Sequence, residues 1–146
     1  MKKHLTNNPL LCRLLTWRFG LHRRGFTFFM EIIWKSVIGF EGFYEVSNTG
    51  LVKSFFWHYK EKVRVIKPTL NKSGYYNVKL KNNNFSKTYG VHVLVALAFI
   101  EKPYGKYEVN HIDGNKLNNH VSNLEWILHK DNIKHMYKFK KSRTNG

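Results

Sequence analysis

A single cysteine, Cys12, stands in a chain of 146 residues. One cysteine excludes an internal disulfide and any zinc site built from thiolates. Nothing in the thiol content points to an oxidising compartment, and secretion is not expected. Long apolar runs are missing too. The longest, Val93–Ile100, falls far short of the roughly 20 residues that a membrane-spanning helix needs, so no membrane association is expected. Acidic residues are scarce: Asp and Glu number 9 against 25 Lys and Arg, a formal charge of +16. Such a balance favours polyanionic partners through long-range attraction and counterion release, and says nothing about fold.

Aromatic residues, by contrast, are plentiful, with 11 Phe, 8 Tyr and 4 Trp. A chain with this much apolar surface can build a core and is not a disordered basic tail. Its length fits one compact domain, with or without an appendage.

Basic residues change character along the chain. Residues 1–30 hold four Arg, two Lys and no acid, whereas residues 31–146 hold two Arg, seventeen Lys and all nine acids. The segment "LLCRLLTWRFGLHRRGFTFF" keeps neither a helical nor an alternating period. Arg13 and Arg18 interrupt it as a secretory signal. Residues 1–30 are therefore expected to be a basic extension upstream of a natural start at Met30, with a nucleic-acid-binding arm as the alternative.

Short strands are expected from Ile32 onward. Tyr44–Phe56 reads as a hairpin turning at Asn48-Thr49-Gly50, with Gly50 supplying a positive φ. "EKVRVIKP" suggests a strand closed by Pro68, and "GYYNVKLKNNNFSKTYGV" two strands about a turn at Asn82–Asn84. "VHVLVALAFI" is ambiguous: its β-branched residues favour a strand, whereas Leu94, Ala96, Leu97 and Ala98 suit a buried helix, which is the expectation adopted. Further on, Tyr107–His111 predicts a strand, Asp113-Gly114-Asn115 a turn, and Leu124–Leu128 a second strand. Ile133, Met136 and Tyr137 then recur at helical spacing, after Asp131 and Asn132 in a first turn. Val109, Leu124 and Trp126 are expected to anchor this unit in the core.

A strand–loop–strand–helix unit can bring the end of its first strand against the start of its helix. That would place Asn110 and His111 beside Asn132. The two amide carbonyls are hard ligands suited to Mg2+ or Mn2+. The histidine, with an ordinary pKa of roughly 6.5, suits a general base.

At this point "VNHIDGNKLNNHVSNLEW" with the following Asp131-Asn132 resembles the HNH nuclease motif of the ββα-metal (His-Me finger) fold. It is most similar to the homing endonucleases of bacteriophage introns and free-standing phage genes. "IWKSVIGFEGFYEVSNTGLVKS" (Ile33–Ser54) resembles the short motif that accompanies that nuclease. The resemblance implies an α+β protein: a β-rich N-terminal motif over residues 31–60, then an HNH nuclease domain over residues 61–146 with its core motif at 107–137. It implies His111 as general base, Asn123 as the asparagine that holds the loop and orients the base, and Asn110 and Asn132 as metal ligands for Mg2+ or Mn2+. The position of Asn110 is often aspartate in that family, so both side-chain ligands here are neutral. Metal uptake is then expected to depend on DNA, with Asp113 or Asp131 as the reserve carboxylate.

The function implied is metal-dependent hydrolysis of double-stranded DNA by a monomer, nicking one strand, in the cytoplasm of a bacterial host. A catalytically inactive DNA-binding module of the same fold is the main alternative, and a basic RNA-binding protein a more distant one. Lys53, Lys116, Lys130 and Lys134 are the expected DNA-backbone contacts. His92 reads as a structural hydrogen-bonder or a phosphate contact, and His120 as a solvated loop residue in reserve for catalysis. His129 and His135 are six apart, not the i, i+4 spacing of a helical metal pair, and are expected at the surface or on DNA.

Overall fold

The computed structural model describes residues 31–55, 63–82 and 85–144, with side chains as far as 138. The chain divides into two units, Met1–Met30 and Glu31–Gly146, and the description concerns the second. The expected basic extension, its start at Met30 and part of the Asn82–Asn84 turn lie outside the described residues.

The first sheet is antiparallel, with strands β1 (Trp34–Ser36), β2 (Tyr44–Ser47), β3 (Val52–Phe55) and β4 (Val63–Val65) in that order. Alternation along β2 and β3 buries Tyr44, Val46, Val52 and Ser54 on one face. The β2–β3 loop is the expected hairpin: Ser47 N–H donates to Leu51 O at 2.8 Å, and Gly50 takes φ +88°. Asn48 in that loop accepts from Ile33 N–H through Oδ1 and donates to Glu31 O through Nδ2, pinning the incoming chain. The sheet draws on both sides of residue 60, because β4 pairs with β3.

The second sheet comprises β5 (Thr69–Leu70), β6 (Tyr76–Lys81) and β7 (Ser86–Gly90). β7 passes directly into helix α1 (Val91–Phe99), which settles the ambiguous apolar run as helical. Its β-branched residues are weak helix formers, but burial outweighs propensity here. Val91, Leu94, Val95 and Ala96 are buried, and α1 touches all three sheets. A helix enclosed in this way is apolar around most of its circumference. The core joins Val37, Phe40 and Val46 of the first sheet region to Val78 and Leu80 of β6, to α1, and to Leu124.

Strands β8 (Tyr107–His111) and β9 (Leu124–Leu128) pair antiparallel, with Asn110 opposite Glu125 and His111 opposite Leu124. A 3-10 turn at Val121–Asn123 enters β9, and helix α2 (His129–Thr144) leaves it without a loop. The architecture is α+β, a strand-rich N-terminal region followed by a ββα unit of β8, β9 and α2. Trp126 departs from the expected core position. It is half-buried, donating Nε1–H to Ile100 O at 3.2 Å, with the Lys102 ammonium 5.4 Å above its ring. Its amphipathic indole seals the edge of the core while its N–H reaches a carbonyl.

Candidate active site

Strand periodicity divides the functional side chains of β8. Successive residues point to opposite faces, so His111 and Val109 share one face while Asn110 and Glu108 share the other.

On the first face His111 is buried, 4 % exposed, and its Nε2 lies 3.0 Å from Asn119 Oδ1. Asn119 turns its own Nδ2 toward Leu117 O at 3.4 Å, so the amide oxygen faces the ring as acceptor. Nε2 then carries the proton, and neutral His111 keeps its lone pair on Nδ1. Burial pushes the His111 pKa below its ordinary value, and the nearby Lys116 charge adds to that, while the Asn119 bond and the Asp113 charge oppose it. The imidazole is therefore neutral at pH 7, as a base must be.

Three rings cluster here: Tyr75 stands 4.8 Å from His92 and 5.9 Å from His111, and His92 5.2 Å from His111, centroid to centroid. Burial, then the neighbouring His111, lowers the His92 pKa to about 4. The buried Nδ1 of His92 has no hydrogen-bond partner among the described residues, and the neutral ring packs between Tyr75 and His111. That close packing constrains Gly90, where a Cβ would stand 2.6 Å from His92 Cε1.

The loop between β8 and β9 is tied by Asn123. Its Oδ1 accepts from Asp113 N–H at 3.0 Å, and its Nδ2 donates to Asp113 Oδ1 and to Asn118 O, each at 2.9 Å. Asp113 also accepts from Asn115 N–H and Asn118 Nδ2, and Gly114 turns the chain at φ +70°. Asn123 therefore holds the loop, while the direct contact to His111 is made by Asn119, a residue absent from the sequence reading. His120, expected to be solvated, caps the 3-10 turn: its Nδ1 accepts from Ser122 N–H at 3.2 Å.

On the opposite face Asn110, 6 % exposed, donates Nδ2–H to Glu125 Oε1 at 2.8 Å. Asn132, one turn into α2, donates Nδ2–H to Glu108 Oε2 at 2.9 Å, and His129 Nδ1 meets Glu108 Oε1 at 2.7 Å. The Asn132 bond, then the His129 bond, hold Glu108 below the usual carboxylate range. Both amides thus spend their N–H groups on carboxylates, which turns each Oδ1 away from its carboxylate as an oxygen donor. Hard oxygen donors of this kind fit Mg2+ or Mn2+. Among the described residues no group of three or more His, Cys, Asp or Glu is placed to hold a metal. The reserve carboxylates are committed elsewhere, Asp113 to the loop and Asp131 to Lys134 at 3.4 Å.

Of the four lysines expected on DNA, Lys116 stands nearest the base. Its Nζ donates to Ser73 O at 3.0 Å and lies 4.7 Å over the Tyr75 ring, beside His111 and His92. Lys130 and Lys134 are exposed on α2. Lys53 is already engaged within the fold. Its Nζ pairs with Glu45 at 2.6 Å and lies 4.3 Å over Trp34, with the side chain 19 % exposed. An ammonium already neutralised and held over a ring serves the scaffold, and little charge is left for a phosphate.

A histidine ending the first strand of a ββα unit, with amide oxygens from that strand and the helix behind it, defines the class of ββα-metal nucleases. Residues 89–134 match the HNH endonuclease family and residues 33–81 match the NUMOD4 motif. The chain carries a NUMOD4 motif ahead of an HNH endonuclease domain, and its relatives are HNH homing endonucleases of phage and viral type. It is 44% identical over 102 residues to an uncharacterized HNH endonuclease of Acanthamoeba polyphaga mimivirus, which covers 70% of this chain and 29% of that protein. It is 40% identical over 100 residues to the DNA endonuclease I-HmuI of Bacillus phage SP01, covering 68% of this chain and 55% of that one. A solved structure of I-HmuI, described as DNA binding and cleavage by that HNH homing endonuclease, superposes with a TM-score of 0.65 at 38% identity. That match covers 74% of this chain and 59% of the other. The chain thus spans little more than half the length of I-HmuI, and less of the viral relative.

Proposed function

We propose that this protein hydrolyses phosphodiester bonds of double-stranded DNA, with His111 as general base. The observation that carries the reading is the division of β8 into two faces: His111 lies on one, the amides of Asn110 and Asn132 on the other. In-line displacement at phosphorus requires the attacking and leaving oxygens on opposite sides. A phosphate lying across the end of β8 would have the base on its attacking side and the oxygen donors on its leaving side.

His111 Nδ1 accepts a proton from water, and the resulting hydroxide attacks phosphorus. The bond from phosphorus to the 3′ oxygen breaks, leaving a 5′ phosphate and a 3′ oxygen that takes up a proton. Asn119 keeps the imidazole in the required tautomer, and Asn123 keeps the loop closed around it. A divalent cation, Mg2+ or Mn2+, held by Asn110 and Asn132 would neutralise charge on the phosphoryl and leaving oxygens. Lys116, beside His111, would hold the DNA backbone, with Lys130 and Lys134 contributing charge from α2. With one such constellation in the described part, the protein acts as a monomer and nicks one strand.

Conversion of supercoiled plasmid to nicked circles in Mg2+ tests this, using phage DNA as a second substrate. The expected result is nicking by the wild type and none by His111→Ala. Intact plasmid and phage DNA, with a retained gel shift, would instead mark an inactive DNA-binding module.

A further inference from the structure

The two amides read as ligands carry no charge, yet each leans on a carboxylate, Asn110 on Glu125 and Asn132 on Glu108. Asn110 and Glu125 form a cross-strand pair on β8 and β9, joined at 2.8 Å. Asn132 of α2 is joined at 2.9 Å to Glu108, two residues before Asn110 on the same face of β8. Two carboxylate–amide pairs therefore draw on this face of β8, one shared with β9 and one with the first turn of α2. In each pair the amide N–H donates to the carboxylate.

We propose that Glu108 and Glu125 are the positioning residues of the metal site: they fix the ligand amides oxygen-outward and supply the negative charge that the amides lack. The inference rests on the reading of Asn110 and Asn132 as ligands. Three physical consequences support it. A carboxylate acceptor fixes which end of an amide faces it, so neither asparagine can present its NH2 group to a cation. Charge-assisted donation polarises the amide and enriches its oxygen. Two anions close behind neutral ligands attract a dication that the amides alone would hold weakly. Partners of this kind govern metal affinity in other proteins, where their loss typically costs about 10- to 100-fold. The site is then competent to take up its ion without DNA, in place of the DNA-dependent uptake expected from two neutral amides.

The test is Mn2+ titrated into the full-length protein without DNA, read by the loss of the free-ion electron paramagnetic resonance signal. The wild type is expected to bind, and Glu108→Gln and Glu125→Gln each to weaken binding about 10-fold or more. Thermal melting of the two variants should stay near wild type, since Gln preserves shape. Glu125→Ala, which also frees Asn110 to rotate, should be weaker still than Glu125→Gln. No Mn2+ uptake by the free wild type overturns the inference, as does unchanged affinity in both Gln variants. Either result leaves the cleavage reading standing. Tight Mn2+ uptake with intact plasmid would count against cleavage and leave the carboxylates in place.

Discussion

Gly50, in the β2–β3 hairpin, lies so close to Asn119 that a methyl group on it would stand 2.8 Å from the Asn119 Cβ. The same hairpin accepts Val121 N–H on Asn48 O at 2.8 Å. The N-terminal motif thus backs the loop that holds the base, and the relay runs Gly50, Asn119, His111.

Gly50→Ala breaks this in two ways. It strains a position at φ +88°, and its methyl pushes on Asn119. The expected loss is roughly 1–3 kcal/mol, read from denaturant midpoints. Nicking should fall by more than the unfolded fraction explains, because the displaced Asn119 no longer fixes the His111 tautomer.

Cleavage should depend on pH through His111. Burial lowers its pKa, so the rate should rise with pH through a value below 6.5 and level off by neutrality. Asn119→Asp places a carboxylate on Nε2, favours the imidazolium, and should move that rise to higher pH. A pH–rate profile unmoved by this substitution would remove Asn119 from its role. His111→Ala should reduce the rate by roughly 100-fold or more while leaving the gel shift intact.

Lys116 and Lys53 should behave differently on DNA. Lys116→Ala should weaken binding and reduce the slope of log affinity against log salt by about 1, as expected for one lost phosphate contact. Lys53→Ala should leave that slope unchanged, because its charge is spent on Glu45. Fluorescence anisotropy over a salt series separates the two.

Stability should fall on acidification through His92. Its folded pKa of about 4 lies below the ordinary 6.5, so the unfolded chain takes up this proton first. The stability present above pH 6.5 is then lost progressively toward pH 4, by about 3 kcal/mol in all, and this contribution flattens below that. His92→Phe, which keeps the ring and removes the titration, should flatten unfolding midpoints across that window.

Much of this protein follows from local sequence. Alternation and turn chemistry located β8, β9 and the β2–β3 hairpin, because strand period and a positive-φ glycine are properties of a few adjacent residues. The order of Asn110, His111, Asn123 and Asn132 carries the resemblance to the nuclease motif, and it is legible because these residues fall along a strand, a loop, a strand and a helical turn. Tertiary structure decided what faces what. Asn119 rather than Asn123 meets the base, because the loop folds back and presents one of several similar amides to the ring. Lys53 is neutralised and His92 is driven neutral because Glu45, Trp34, Tyr75 and His111 converge from distant segments. Glu108 and Glu125 reach the amides of Asn132 and Asn110 only once the strand register and the docking of α2 are fixed. Spacing along a chain can name the groups that perform chemistry. The dielectric, the charge and the orientation in which they act are sums over neighbours in space, and those neighbours are set by packing.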